Sequence, residues 1–421
     1  MRSNNLMKWA CAAALLGDLS SAAAASESPP QNAVSAGIER CVRHRVTQTS
    51  FSGVISLAHN GAPSVVISNG VRSGPGSPPI SGETRFNLGS ASKMFTAVAV
   101  AQLVDAGRLA WTDPVGRYVT GLTPEASAVT VQQLVTHTSG LGDFFQPQNM
   151  AAMMRARTAS DLLPLIAGEV PAFAPGSRFA YSNSGFALLG ILIERVTHQS
   201  YGDYLREHIF RPAGMQHSGL DPRPLETLAV GMTAMGTSPE GDHGPLLVAP
   251  PPKGGRGPGG AGGMVLIGPG GAHVSPGSGR LRPAPGSTEG YGSPAGGLFS
   301  TAADMQSFFR ALAANRLTFA QSTAALTSPQ VVAAPAAQGQ PARTYGYGFG
   351  TGSVAGHRWF GHNGGTLGAN TELTVFPDDQ WAVVVTSNRD PPSGTQMFRY
   401  VRDLLLHPQT LATCGGDVAP T

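Results

Sequence analysis

Residues 90–109 of this 421-residue chain read SASKMFTAVAVAQLVDAGRL, and this stretch decides the prediction of the fold. From Ser92 onward it is rich in alanine, valine and leucine, contains no proline and ends near Gly107. Such a pattern is typical of a buried helix. Ser90 and Lys93 would share one face at the helix N-terminus, because residues three apart are neighbours on a helix.

Lysine is rare in this chain, which makes Lys93 a candidate base. Three lysines stand against twenty-five arginines, and the other two are Lys8 and Lys253. Arginine keeps its proton in proteins, whereas a desolvated lysine can lose its proton near neutral pH. Lys93 would accept the proton of Ser90, and the helix N-terminus would favour the developing negative charge. The structural alternative is that Ser90 only caps the helix and Lys93 reaches the surface.

Two downstream segments carry candidate partners for this pair. Tyr181-Ser182-Asn183 precedes a predicted helix, and Asn183 offers both a donor and an acceptor. The alternative is that Ser182 or Asn183 simply caps that helix.

The second segment, His362-Asn363-Gly364-Gly365, follows the strand-like residues RWFG. Its structural interpretation is a hairpin turn, since Asn-Gly between strands is a strong turn signal. Its functional interpretation is that the small glycines let a strand backbone approach a substrate closely.

These segments resemble, in order, three motifs of the serine β-lactamase and penicillin-binding-protein superfamily: S-x-x-K, Y-x-N and K-T-G. The tyrosine of the second motif makes the chain similar to class C β-lactamases, related D-alanyl-D-alanine peptidases and family VIII esterases. The resemblance covers roughly residues 38–405. Other stretches that resemble the family are LVTHTSGL (134–141), YSNSGFALLG (181–190) and PAGGLFSTAADM (294–305).

The resemblance implies that Ser90 attacks a carbonyl and forms an acyl-enzyme, while Lys93 and Tyr181 share the proton transfers. It implies that Asn183 orients Lys93 and the substrate, and that the backbone N–H groups of Ser90 and Gly365 form an oxyanion hole. A neighbouring ammonium is expected to lower the pKa of Tyr181 toward working pH. No metal or organic cofactor is implied, and the expected partner is a small-molecule or short-peptide substrate.

The third motif departs from the family pattern. His362 stands where the family often has lysine, and Asn363 replaces threonine. Lysine there helps to hold a substrate carboxylate, whereas histidine is charged only when its pKa is raised or the pH is low. The departure favours an uncharged ester or amide and thus an esterase-like hydrolase. The alternatives are a β-lactamase, a D-alanyl-D-alanine carboxypeptidase or D-aminopeptidase, and a non-catalytic ligand-binding protein on the same scaffold.

Strand patterns lie at both ends of the chain, and helical patterns lie between them. Residues 52–70 read as two strands joined by Asn60-Gly61, and further strands are predicted at 357–362, 371–377 and 380–388. The pattern predicts an α+β, β-lactamase/transpeptidase-like fold within one domain over 38–410, whose antiparallel sheet combines the N- and C-terminal parts and is flanked by helices. Helical patterns occupy residues 35–46, 92–109, 130–141, 160–170, 184–210 and 395–407.

Residues 236–297 form a Gly/Pro-rich insert that is predicted to be loop. Its glycines at 257, 259 and 262 match a G-x-G-x-x-G pattern, but no strand precedes them and no clear helix follows, so a nucleotide site is not predicted. The net charge is +3, and no Lys/Arg run interleaves with aromatic residues. Nucleic acid is therefore not an expected partner.

Residues 1–25 are predicted to be a signal peptide, with a positive start, a short apolar run and small residues before the cleavage site. The alternative is a buried or membrane helix, but the run is too short to span a bilayer. The protein is expected to be exported, periplasmic or secreted, without stable membrane insertion. Signal removal leaves Cys41 and Cys414, which are predicted to form a disulfide unless they stay free thiols.

Overall fold

The computed structural model describes residues 31–234, 247–249, 265–267, 281–337 and 341–415. The predicted signal peptide, the G-x-G-x-x-G pattern and most of the Gly/Pro-rich insert lie outside the described residues.

One antiparallel sheet of eight strands is built from both ends of the chain, as predicted. Its strand order is β2-β1-β8-β7-β6-β5-β4-β3. N-terminal β1 pairs with C-terminal β8 from Gly53 opposite Ser387 to His59 opposite Trp381. The eight strands are β1 Gly53–His59, β2 Ala62–Asn69, β3 Val331–Ala334, β4 Arg343–Tyr345, β5 Gly350–Val354, β6 His357–Thr366, β7 Ala369–Phe376 and β8 Trp381–Ser387.

Three two-stranded ladders accompany this sheet in the described part of the chain. They pair Phe86–Asn87 with Phe299–Ser300, Met232–Thr233 with Arg282–Pro283, and Leu247–Ala249 with Val265–Ile267.

The turn between β1 and β2 is the predicted Asn60-Gly61 hairpin. Both residues have positive φ angles, 52° at Asn60 and 74° at Gly61. A two-residue turn of this type matches the twist of the paired strands, which explains the strength of the sequence signal.

The helical region is inserted between β2 and β3, and further helices stand at the two ends of the chain. Within the described residues, no helix has the length and apolarity needed to cross a membrane. The α-helices are α1 Gln31–Thr47, α2 Lys93–Asp105, α3 Pro124–Ser127, α4 Val131–Val135, α5 Met150–Arg155, α6 Leu163–Ile166, α7 Asn183–Thr197, α8 Tyr201–Leu205, α9 Arg211–Ala213, α10 Ala302–Ala313, α11 Ala320–Thr327 and α12 Ser393–Leu406.

The sheet carries helices on both faces, and α2 lies at the centre of the larger core. Of its residues Lys93 to Leu103, all but Gln102 are buried. The core on this face also contains side chains of α7 and α10, while a second core lies between the opposite face and α1 and α12. A helix buried on nearly all sides is expected to be apolar all round, and this explains why α2 lacks an amphipathic pattern.

Left-handed residues cut two of the predicted helices short. The helix predicted over 130–141 ends at Val135, because His137 and Gly140 take positive φ angles of 58° and 79°. The pattern over 184–210 is interrupted at His198, whose φ of 60° ends α7. Left-handed residues stop helices, and non-glycine residues adopt this conformation too rarely for the sequence to reveal it.

A disulfide between Cys41 on α1 and Cys414 joins the two ends of the described chain. The two residues are 373 positions apart, and Cys41 is fully buried in the second core, between the sheet and α1 and α12. Replacing both with serine is expected to lower the free energy of unfolding by about 4 kcal/mol, because the crosslink restricts the unfolded chain.

Urea unfolding of the Cys41→Ser/Cys414→Ser protein against the wild type measures this difference. Reduction should shift the wild-type midpoint and leave that of the double variant unmoved. Equal midpoints for the two oxidised proteins would contradict the prediction.

Candidate active site

Ser90 lies on the 3-10 turn Gly89–Ser92, which leads directly into α2. The neighbouring Ser92 holds this turn: its Oγ donates to the Gly89 carbonyl at 2.7 Å and accepts from the Leu298 N–H at 2.9 Å. The N-cap of α2 is Ser92, so the alternative that Ser90 only caps the helix is wrong. The Ser90 hydroxyl is partly exposed and lines a cavity.

Lys93 is fully buried, so the alternative that its side chain reaches the surface is wrong. Its Nζ lies 3.2 Å from Ser90 Oγ and 2.8 Å from Asn183 Oδ1, and it also donates to the Ala295 carbonyl. Burial lowers the pKa of Lys93 to about 7, although the nearby carboxylate of Asp143 opposes the shift. A substantial fraction of Lys93 is therefore a neutral amine at neutral pH.

The segment Tyr181–Asn183 caps helix α7 and also places side chains beside Ser90 and Lys93. Ser182 Oγ accepts from the Gly185 N–H at 2.9 Å and caps α7, as one interpretation of the sequence proposed. The same turn directs Asn183 toward Lys93. Asn183 Nδ2 donates to Asp143 Oδ2 at 2.9 Å, which orients the Asn183 carbonyl oxygen toward the Lys93 ammonium.

Tyr181 lies beside both Ser90 and Lys93. Lys93 Nζ is 4.8 Å from the centre of the Tyr181 ring, and the phenol hydrogen-bonds the Ser90 side chain. Tyr181 as a residue is 36% exposed, while its hydroxyl contacts Ser90. The expectation that an ammonium lowers the pKa of Tyr181 is wrong, because burial raises that pKa and the Asp143 carboxylate adds to the rise. Tyr181 is therefore a neutral phenol at working pH.

The third segment lies within strand β6, so its interpretation as a hairpin turn is wrong. Asn363 to Gly365 pair with Glu372 to Asn370 of β7. A Cβ on Gly364 would lie 1.9 Å from the Leu88 carbonyl oxygen, and one on Gly89 would lie 2.8 Å from the Gly365 amide nitrogen. The glycines thus permit a close approach between this strand and the Ser90 turn, which brings the Gly365 amide next to that turn. The close approach of a substrate to the same strand stays a prediction.

His362 is buried against Tyr345 and does not carry a charge. Its Nδ1 lies 2.5 Å from the Asn363 carbonyl oxygen, which can only accept, so the Tyr345 hydroxyl donates to Nε2 at 3.0 Å. Burial and then the charge of Lys93 lower the pKa of His362 to about 3. In the described structure Asn363 contacts the His362 ring through its carbonyl and pairs with Glu372 of β7.

A cavity of about 660 Å³ opens from Ser90 and Asn183. Most side chains in its wall are apolar, and three of them are methionines of α5. Of the two arginines in the wall, Arg157 donates to the carbonyls of Met154 and Ala156 at 3.0 and 2.8 Å. The larger wall side chains are Phe144, Phe145, Met150, Met153, Met154, Arg157, Leu162, Tyr201, Leu220, Arg282, Tyr291 and Leu367.

Sequence reasoning missed several groups that contact the predicted residues, among them Asp143, the Ala295 carbonyl, Tyr345 and His137. Ala295 lies in one of the stretches that resemble the family, and Asp143 follows another by two positions. These stretches therefore indicated that a segment lies near the site, but not which of its residues contacts Lys93 or Asn183. Tyr345 lies on β4 outside them, and nothing in its local sequence marks it.

A model of the Beta-lactamase family matches residues 38–406. Among the relatives, penicillin-binding protein 4* of Bacillus subtilis is 34% identical over 151 residues, 35% of this chain and 33% of that protein. The putative penicillin-binding protein PbpX of the same species is 34% identical over 136 residues, 32% of this chain and 33% of that protein. The match thus spans about a third of the length of these relatives.

Among solved structures, a penicillin-binding protein from Bacillus halodurans superposes with a TM-score of 0.69 at 24% identity, over 87% of this chain and 98% of that one. A D-amino acid amidase from Ochrobactrum anthropi in complex with D-phenylalanine superposes with a TM-score of 0.66 at 22% identity, over 89% of this chain and 99% of that one. At this identity the likeness concerns the fold. The family match over residues 38–406 shows that the chain belongs to the Beta-lactamase family.

Proposed function

We propose that this protein is an esterase-like serine hydrolase that acts through an acyl-enzyme on Ser90. Lys93 in its neutral form accepts the Ser90 proton while Oγ attacks the substrate carbonyl carbon. The oxyanion is held by the backbone N–H groups of Ser90 and Gly365. The carbon–oxygen bond of the ester breaks, and the leaving alkoxide takes a proton from the Lys93 ammonium through the Tyr181 hydroxyl. In the second half of the reaction a water molecule gives a proton to neutral Lys93 and attacks the acyl carbon. The bond from that carbon to Ser90 Oγ breaks, Ser90 takes the proton back, and the carboxylic acid is released.

The observation that carries the proposal is the contact of Lys93 Nζ with Ser90 Oγ at 3.2 Å in a fully buried setting. Burial supplies a base by lowering the pKa of Lys93 to about 7. Two further groups keep Nζ in place, the Asn183 amide oxygen and the Ala295 carbonyl. A geometry that holds a deprotonatable lysine against a serine hydroxyl suits proton abstraction, whereas a surface ion or a helix cap would not require it.

The neutral His362 supports a substrate without a carboxylate. The family position that often holds lysine here carries an imidazole whose pKa of about 3 keeps it uncharged at physiological pH. Both ring nitrogens are already occupied, by Asn363 and Tyr345. The third motif thus has no cation to pair with a β-lactam carboxylate.

The apolar cavity beside Ser90 supports an apolar acyl group as the part of the substrate that enters it. Phe144, Phe145 and the α5 methionines line the wall. Burying one methylene contributes about 0.8 kcal/mol, or roughly a fourfold gain. The value of kcat/KM is therefore expected to rise by about two- to fourfold for each methylene from p-nitrophenyl acetate to butyrate.

Steady-state kinetics with p-nitrophenyl butyrate, nitrocefin and D-alanine p-nitroanilide tests the substrate class. The ester is expected to exceed nitrocefin in kcat/KM by about 10–100-fold, because a lost hydrogen bond to a charged group costs about 1.5–3 kcal/mol. Ser90→Ala protein serves as the blank for each substrate. Nitrocefin turnover without ester turnover would contradict the proposal, and preference for the anilide would favour a D-amide hydrolase.

We also propose that the protein is exported, with residues 1–25 as the signal peptide. The disulfide between Cys41 and Cys414 supports this, because disulfides persist in oxidising compartments. N-terminal sequencing of protein from the periplasm and the medium should find a mature chain without the signal. A full-length chain that stays in the cytosol would contradict export.

A further inference from the structure

His137 has contacts that the proposed mechanism does not use. It lies two residues beyond α4, and its φ of 58° is unusual for a non-glycine residue. Its side chain is fully buried. Strained, buried polar residues persist where the surrounding structure determines them, so the contacts of this residue indicate what it does.

Three of these contacts surround Tyr181. The backbone N–H of Ala180, the residue before it, donates to the His137 carbonyl at 2.8 Å. The backbone N–H of Ser182, the residue after it, donates to His137 Nδ1 at 3.1 Å. Between these two bonds the imidazole lies against the phenol ring, with the ring centres 4.3 Å apart and the planes inclined by 33°. One residue thus holds both neighbours and the ring of Tyr181.

The chemical state of the imidazole follows from the same contacts. Nδ1 accepts a hydrogen bond, so the neutral ring carries its proton on Nε2. Among the described residues no atom accepts a hydrogen bond from that Nε2. The imidazole is instead surrounded by the aromatic rings of Phe179, Phe186 and Tyr345, whose centres lie 5.6, 4.9 and 5.0 Å from its own. Burial lowers the pKa of His137 well below its usual value, and the charge of Lys93 adds to the shift.

We propose that His137 is the positioning residue that holds the Tyr181 phenol at Ser90 and Lys93. Part of the Tyr181 ring faces solvent, since 36% of the residue is exposed, while the imidazole covers another part. Without the imidazole the phenol can rotate toward solvent and leave the Ser90 hydroxyl. Burial, with the charge of Lys93 adding to its effect, keeps the imidazole neutral at this position. The inference rests on the proposed role of Tyr181 in proton transfer.

Three substitutions of His137 separate the contribution of its aromatic ring from that of its hydrogen-bond acceptor. His137→Ala removes both the ring and the acceptor, His137→Asn restores an acceptor near Nδ1, and His137→Phe restores an aromatic ring. A displaced proton-transfer group costs about 10–100-fold in rate, so His137→Ala is expected to lower kcat by that factor with KM changed less than threefold. The other two variants should each recover part of kcat. Val131→Ala, which removes buried side-chain atoms from the neighbouring α4, is the control for an effect of lost stability alone. Its kcat should stay near the wild-type value.

A double-mutant cycle with Tyr181→Phe distinguishes positioning from general packing. If His137 acts through Tyr181, adding His137→Ala to Tyr181→Phe should lower kcat less than twofold further. An equal loss in both backgrounds, or an unchanged kcat in folded His137→Ala protein, would overturn the inference. Full activity of Tyr181→Phe would overturn the proposed role of Tyr181 instead, so the two failures are distinguishable. Thermal unfolding of each variant confirms that folded protein is compared.

Discussion

Ser90→Ala protein is expected to lose ester hydrolysis almost completely, with kcat lowered by about 10⁴–10⁶-fold. The reason is that Ser90 carries the hydroxyl that hydrogen-bonds Lys93 Nζ in the described structure, where the other partners of Nζ are the Asn183 amide oxygen and the Ala295 carbonyl. The remaining rate would come from binding and the oxyanion hole alone. Steady-state kinetics with p-nitrophenyl butyrate measures the loss.

Intact-mass spectrometry after treatment with a fluorophosphonate tests the same assignment without a substrate. The wild type should gain one covalent adduct, and Ser90→Ala should gain none. Ser293→Ala is the matched control, because Ser293 also lines the cavity but its Oγ contacts the Gly296 carbonyl rather than Lys93. An adduct that survives Ser90→Ala would show that another residue is the nucleophile, and no adduct on the wild type would favour a non-catalytic ligand-binding protein.

Lys93→Arg is expected to lower kcat by about 10²–10⁴-fold, which is the usual contribution of general acid–base catalysis. Arginine keeps the positive charge but does not release its proton. Lys93→Met, which is neutral and of similar length, should be impaired to a comparable degree. Recovery of activity in either variant would show that charge or packing, rather than proton transfer, is the role of Lys93.

The pH profile of the wild type carries the second signature of Lys93. Below pH 7 the side chain is an ammonium that cannot accept a proton, so kcat/KM should rise with pH through about 7. His362 does not contribute in this range, since its pKa is about 3, and burial raises the pKa of Tyr181 away from it. The rise should remain in His362→Asn protein, whatever its absolute rate. If the rise disappeared in His362→Asn protein, the titrating group would be His362, and the assignment of the rise to Lys93 would be wrong.

The elements that the sequence predicted well are those with strong local causes. The length and apolarity of residues 92–109 predicted α2, and Asn60-Gly61 predicted a hairpin, because both patterns act over a few neighbouring residues. The order of three short motifs predicted which residues approach one another. The scarcity of lysine identified Lys93 before any partner was known.

The parts that were missed depend on contacts between distant segments. Ala295 reaches Lys93 across 202 positions of the chain, and its contact is a backbone carbonyl that any residue type would provide. Asn363-Gly364 was ambiguous because the same dipeptide serves a turn and a close backbone contact, and only the approach of Leu88 decides between them. The pKa of Tyr181 depends on how deeply the hydroxyl is buried, which the sequence does not show.

The bond between Cys41 and Cys414 gives the folded chain the topology of a ring. A protease that cuts once at an exposed loop, for example at the Asn60-Gly61 turn, opens this ring but releases no fragment. The two pieces separate on a gel only after reduction, and until then β1 and β2 stay tethered beside the strands they pair with. In surroundings rich in proteases, a nicked molecule of this kind remains one covalent unit whose halves cannot diffuse apart.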